Sequence, residues 1–162
     1  MRIGHGLDVH RFGSKKKLVI GGITIPYSTG FISHSDGDVL IHSIIDALLG
    51  ATSLGDIGKM FPNTNHKYKN INSRLLLREV WHKIKKKYYC LYNIDITVIA
   101  QEPKITLFTE AMKTNIAFDL DCNKNIINIK ATTTEKLGYI GRCEGIACES
   151  VVLLKKLKND LI

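Results

Sequence analysis

The sequence predicts an α/β fold of the α+β type, a mixed β-sheet with helices packed on one face. Three observations predict it. The chain has 162 residues, the size of one hydrophobic core. Its apolar residues alternate in some stretches and recur at every third or fourth position in others. These stretches run in the order strand-rich start, helix, helix, strand, helix, strand, strand. The expected organisation is one domain over residues 1–162.

Residues 1–9 read as a strand and 17–25 as a second one, with Gly21-Gly22 as a turn inside it or between hairpin arms. Residues 26–31 read as loop. A helix is expected over 36–51, where Leu40, Ile41, Ile44, Ile45, Leu48 and Leu49 form the apolar stripe. Asp38, His42 and Asp46 recur every fourth position and form a polar strip on that helix. Residues 53–68 are rich in Gly, Pro and Asn and read as a functional loop. A second helix runs from a cap at Asn72 or Ser73 to residue 87, with Leu76, Val80 and Ile84 inward and Trp81 as packing. A strand over 93–100, a break at Pro103, a helix over 107–120 and strands over 125–131 and 145–156 complete the chain.

The composition is that of a globular protein, 44% hydrophobic and 23% charged, which excludes collagen-like and largely disordered chains. No run of about 18 apolar residues exists, so no membrane partner is expected. The start lacks the apolar core of a signal peptide, and the expected location is cytoplasmic. The net charge is +8, but the lysines concentrate at Lys15, Lys16 and Lys17 and between 83 and 87, as on solvated faces. No grouped Arg forks or aromatic platforms accompany them, so no nucleic-acid partner is expected. Cys90, Cys122, Cys143 and Cys148 form no CxxC pair and read as free thiols.

Three constellations carry chemistry. Asp8 and His10 stand two apart in a strand and point to one side. With His42 they make a three-ligand zinc site that leaves a fourth position open, with Asp38 and Asp46 as carboxylates orienting the imidazoles. A plain hydrogen-bonded pair is the alternative for Asp8 and His10. The run Ser33-His34-Ser35-Asp36 precedes a helix, where main-chain N–H groups favour phosphate. A simple N-cap at Ser35 or Asp36 is its alternative. Thr132, Thr133, Thr134 and Glu135 read either as a phosphate cradle with Glu135 on Mg²⁺ or as a capping box opening a helix. Arg142, in the glycine-bearing segment Gly138-Tyr-Ile-Gly-Arg142, suits an anion, with a solvent-exposed Arg as the alternative.

Four separated segments together resemble one family. They are Arg2-Ile-Gly-His-Gly-Leu-Asp8-Val-His10, the run Ser35-Asp-Gly-Asp-Val-Leu-Ile-His42 on to Ala51, Leu54-Gly-Asp56-Ile-Gly58-Lys-Met-Phe61-Pro62, and Lys130-Ala-Thr-Thr-Thr-Glu-Lys-Leu-Gly138. In this order they resemble the 2-C-methyl-D-erythritol 2,4-cyclodiphosphate synthase family over residues 1–154. The resemblance implies a phosphorus–oxygen lyase of non-mevalonate isoprenoid synthesis. Its substrate is the small nucleotide-diphosphate 4-diphosphocytidyl-2-C-methyl-D-erythritol 2-phosphate. The 2-phosphate attacks the β-phosphorus, CMP leaves and a cyclic diphosphate forms. It also implies a homotrimer with active sites at subunit interfaces. Two other readings stand beside it, a zinc-dependent phosphohydrolase and, from the charge alone, a basic nucleic-acid-binding module.

The resemblance further implies roles for individual residues. Asp8, His10 and His42 bind one Zn²⁺ per subunit, and Glu135 holds Mg²⁺ or Mn²⁺. His34 and Thr133 stabilise the transition state and Ser35 contacts phosphate. Asp56, Ile57 and Gly58, with Phe61, Pro62, Asn63, Thr64 and Asn65, hold the erythritol and ribose portions. From the adjoining subunit, Ala100, Gln101, Glu102, Pro103, Lys104, Ile105 and Thr106, with Ala131, Thr132 and Thr133, form the cytidine pocket. Thr134, Tyr139 and Arg142 complete the substrate contacts. The chain departs from the family pattern at Asn63 and Asn65, where Asp is common, at Tyr139 for Phe and at Cys143 for Gly. The two asparagines keep turn geometry and remove two negative charges.

Overall fold

Two glycines in the first strand decide how closely the first helix packs. The computed structural model describes residues 1–157, so residues 158–162 of the expected domain lie outside it. Strand β1 (Arg2–Ser14) turns its even-numbered positions inward, and Gly4 and Gly6 are buried there. A Cβ at Gly4 would lie 1.8 Å from the Ala47 carbonyl oxygen, and one at Gly6 2.0 Å from that of Ser43. Both oxygens belong to helix α1 (Val39–Ala51), whose backbone therefore rests on the strand with nothing between them. The same inward face continues to Asp8 and His10.

The central sheet has five strands. β1 is flanked by β4 (Gly30–Phe31) on one side and β7 (Gly145–Lys156) on the other, then β5 (Tyr89–Ile99) and β6 (Ile127–Thr132). β1 and β7 run antiparallel from Arg2 opposite Leu154 to Arg11 opposite Gly145. β5 and β6 run parallel. A parallel pair needs a crossover, which helix α4 (Thr109–Asp119) supplies. The sheet is thus mixed, and its helices lie on one face as expected. The other face exposes Ile3, Leu7, Val9 and Val151. A separate hairpin, β2 (Leu18–Ile20) and β3 (Ile23–Ile25), turns at Gly21-Gly22, both at positive φ.

Helix α1 is buried on nearly every side and its strip of Asp38, His42 and Asp46 is largely covered, because the sheet covers one face and helix α3 (Ser73–Lys85) the other. It starts at Val39, later than expected. Asp38 is its N-cap, accepting from the Ile41 N–H at 3.0 Å, so neither Ser35 nor Asp36 caps it. Asn72 caps α3, and Leu76, Val80, Trp81 and Ile84 are buried as read from the sequence. The loop at 53–68 holds a single turn, α2 (Ile57–Met60), and a 3₁₀ turn at His66–Tyr68. The capping-box alternative at Thr132 fails. Thr132 is still strand, and Glu135 and Lys136 have φ of 51° and 64°. A short helix follows, α5 (Gly138–Gly141), where the sequence reading assigned no element. Among the described residues, no helix is long and apolar enough to cross a membrane.

Candidate metal centre and substrate cleft

Asp8 and His10 on β1 meet His42 on α1 where the glycine-lined contact ends. Asp8 Oδ2 lies 3.0 Å from His10 Nδ1 and 3.1 Å from His42 Nδ1. One ligand atom from each of the three falls within 4.8 Å of the others, the only such group of His, Cys, Asp or Glu among the described residues. Burial opposes the charge on Asp8, but the two imidazoles outweigh it and hold the carboxyl well below the usual range. Burial likewise opposes a charged His42, yet the hydrogen bond and charge of Asp8 raise its pKa. His10 Nδ1 is buried and has no hydrogen-bond partner, since Asp8 lies close but out of line. A buried nitrogen facing a carboxylate and a second imidazole is the donor set of a divalent cation.

Asp38 and Asp46 do not orient the imidazoles, contrary to the sequence expectation. Asp38 Oδ1 accepts from the Gly21 N–H at 2.9 Å and Oδ2 from the Gly22 N–H at 2.6 Å. Asp46 accepts from the Ile57 N–H at 2.7 Å and so fixes the start of α2. Fourfold spacing placed them on one side of a helix, but main-chain donors from neighbouring loops reach them first. The groups on the far side of His42 are hydroxyls, Ser73 Oγ at 2.9 Å and Ser35 Oγ at 3.3 Å from Nε2.

The three ligands line a cleft of about 340 Å³ with His34, Ser35, Ile57, Gly58, Phe61 and Asn63. Phe61 is buried and packs edge-on against Tyr68, with ring centres 5.3 Å apart. His34 Nε2 lies 3.4 Å from the Asn65 carbonyl. Asp56 and Asn65 act as caps in this chain. Asp56 accepts from the Lys59 N–H and Asn65 from the Lys67 N–H. Pro62 and Thr64 are exposed and outside the cleft wall.

A second cavity of about 560 Å³ is lined by residues 100–106 and 131–133, together with Tyr27. Every member of the expected cytidine pocket is therefore in one place, and Tyr27 is an addition that nothing in its sequence surroundings signalled. The Lys136 N–H donates to Gln101 Oε1 at 3.1 Å and closes its rim. Thr133 Oγ1 donates to Glu135 at 3.3 Å. Thr134, Glu135, Tyr139 and Arg142 line neither cavity, and Arg142 pairs with Glu144 at 2.6 Å. The two cavities share no residue. Val9 pairs with Ala147, Ala147 with Ile99 and Ile99 with Thr132, so Thr132 stands three strands from β1. At about 4.8 Å per strand that separation is roughly 14 Å. Within one chain, His34 and Thr133 belong to different cavities.

The model of the YgbB family matches residues 1–155. The chain is 62% identical over 156 residues to the 2-C-methyl-D-erythritol 2,4-cyclodiphosphate synthase of Haemophilus ducreyi, covering 96% of this chain and 98% of that one. It is similar to the bifunctional IspDF of Campylobacter jejuni, with a TM-score of 0.93 and 50% identity, covering 97% of this chain and 42% of that one. It is also similar to IspF of Plasmodium falciparum, solved as a CDP complex, with a TM-score of 0.86, 39% identity and 97% of each chain covered. With the ligand triad, the cleft and the match running through the same residues, the chain belongs to the YgbB family, that of the 2-C-methyl-D-erythritol 2,4-cyclodiphosphate synthases.

Proposed function

We infer that the chain closes 4-diphosphocytidyl-2-C-methyl-D-erythritol 2-phosphate into 2-C-methyl-D-erythritol 2,4-cyclodiphosphate in isoprenoid synthesis, as a phosphorus–oxygen lyase. An oxygen of the 2-phosphate attacks the β-phosphorus, a new P–O bond forms, and the bond to CMP breaks with its electron pair leaving on CMP. The observation that carries this reading is the convergence of Asp8, His10 and His42 on the floor of a cleft that also holds His34 and Ser35.

Asp8, His10 and His42 hold one zinc ion in this proposal, and Glu135 holds Mg²⁺ or Mn²⁺ on the diphosphate. Divalent cations there neutralise and polarise phosphate oxygens. The attacking group is already anionic, so the protein supplies no base. Its work is alignment and charge stabilisation. His34 and Thr133 donate hydrogen bonds to phosphate oxygens as charge spreads in the transition state. Ser35 contacts phosphate from the cleft wall. Asp56, Ile57 and Gly58 and the 61–65 loop hold the erythritol and ribose. The 100–106 and 131–133 groove takes cytidine, with Thr134, Tyr139 and Arg142 beside the phosphates.

The separation of the two cavities supports a site shared between neighbouring subunits of a homotrimer, each lending its groove to the next one's metal cleft. The test is to incubate the purified protein with substrate and Mg²⁺ and resolve the products. CMP and the cyclic diphosphate are expected. A linear phosphate would mean that water attacks and that the protein is a phosphohydrolase. No CMP from folded, metal-loaded protein would overturn the reading.

A further inference from the structure

The His42 ring is gripped on the side away from Asp8, and the grip has a direction. Nδ1 faces Asp8 Oδ2, while Nε2 lies 2.9 Å from Ser73 Oγ. Ser73 is fully buried, at the first turn of α3, 31 positions beyond His42. Its hydroxyl has one proton, which it donates to Asp36 Oδ1 in a short contact. Asp36 Oδ2 accepts the Ser73 main-chain N–H at 2.9 Å, so both carboxylate oxygens are acceptors for the same residue. With its proton committed to Asp36, Ser73 Oγ has only lone pairs to offer the imidazole. Nε2 must then carry the ring proton. Ser35 Oγ, at 3.3 Å, already accepts from the Gly37 N–H at 3.1 Å and is the weaker neighbour. With the Nε2 proton held on Ser73, Nδ1, 3.1 Å from Asp8 Oδ2, is the nitrogen whose proton a cation displaces.

We propose that Asp36 and Ser73 are positioning residues that set the tautomer of His42, so that Nδ1 rather than Nε2 is presented to the cation. The proposal rests on reading Asp8, His10 and His42 as a metal centre. Hydrogen-bonded partners of ligating imidazoles fix ring orientation and raise metal affinity. Here the partner is a serine whose polarity is set by a carboxylate. Neither residue touches substrate in the cleft as described, and Ser73 lines neither cavity.

The decisive variant is Asp36→Asn, nearly isosteric. An amide has one acceptor oxygen for two donors of Ser73. With that oxygen on the Ser73 N–H, its NH₂ faces Ser73 Oγ and reverses the chain, so Ser73 donates to Nε2 and the ring proton moves to Nδ1. Nitrogen-15 spectroscopy of the zinc-loaded protein, where the cation takes Nδ1 in place of the proton shared with Asp8, reads the tautomer directly. The Nε2–H form is expected in the unmodified chain and loss of that signal in Asp36→Asn. Zinc affinity, measured by competition with a chromophoric chelator, is expected to fall roughly 10- to 100-fold in Asp36→Asn and Ser73→Ala. Ser73→Thr, which keeps the hydroxyl, is expected to retain both readouts. An Nδ1–H ring in the unmodified chain, or folded Asp36→Asn with unchanged tautomer and zinc affinity, overturns the proposal. An unmodified chain that takes up no zinc overturns instead the metal reading on which it rests.

Discussion

In the cleft beside β1, Asp8, His10 and His42 touch one another, and Ser35 and Ser73 brace the ring of His42 from behind. In the cavity at the far edge of the sheet, Ala100 and Ile105 form a buried base, while Ala131, Thr132 and Thr133 are all open to solvent. The first region is assembled by long-range packing within the chain. The second is a shaped surface whose side chains have few partners of their own. A cation needs ligands held in place before it arrives, whereas a nucleotide groove gains its remaining contacts from what enters it. The contrast separates substitutions in a packed cleft from those in an open groove.

The largest effect is expected from His42→Ala. Loss of one of three ligands removes bound metal and several kcal/mol of charge stabilisation, so turnover falls by roughly two to three orders of magnitude. Elemental analysis and a CMP-release assay check it. Full metal content in the variant would break the contrast at its stronger side.

A mixing experiment sharpens the other side. Thr133→Ala alters an exposed groove residue, so metal content and stability stay within about 0.5 kcal/mol of the unmodified chain while turnover falls. If each active site takes its metal cleft from one subunit and its groove from the next, refolding equal amounts of His42→Ala and Thr133→Ala chains restores about a quarter of the sites. No recovery, with mixed oligomers demonstrated by mass, would mean that both cavities act within one chain.

Glycine at position 6 tests how the metal cleft is held. A methyl group there would meet the Ser43 carbonyl at 2.0 Å, and only movement of α1 away from β1 relieves it. Gly6→Ala is expected to destabilise the fold by about 1–3 kcal/mol and to weaken metal binding in parallel, because the same movement carries His42 from Asp8. Chemical denaturation and zinc titration read the two effects. Loss of stability with unchanged zinc affinity would separate the helix contact from the metal centre.

These sites differed in how far the sequence disclosed them. Alternation in β1 was enough to put Asp8 and His10 on one side, and the apolar stripe located the helix that carries His42. That His42 joins them was inferred from the ligand types, and the family resemblance supported it, since no local pattern states which helix crosses which strand. Asp38 was misassigned because spacing defines a direction and not a partner, and its carboxylate is consumed by the Gly21-Gly22 turn. Ser73 was legible only as a helix start. Its contact with His42 depends on α3 packing on α1, a tertiary event with no sequence period. The same limit hid Tyr27 from the groove.

The smallest expected effect concerns Cys143, one of the departures read from the sequence. Its φ is 57°, in the left-handed region that favours glycine, and its N–H donates to the Ile140 carbonyl at 2.9 Å as the chain leaves α5 for β7. A side chain there costs about 1 kcal/mol of backbone strain. Glycine removes that strain but widens the unfolded ensemble, so the two contributions partly cancel. Cys143→Gly is therefore expected to stabilise the fold by no more than about 1 kcal/mol, read as a shift of the denaturation midpoint with unchanged slope. The metal cleft lies outside this turn, so zinc affinity stays constant. A destabilised variant would mean that the Cys143 side chain contributes packing against its neighbours that exceeds the strain it imposes.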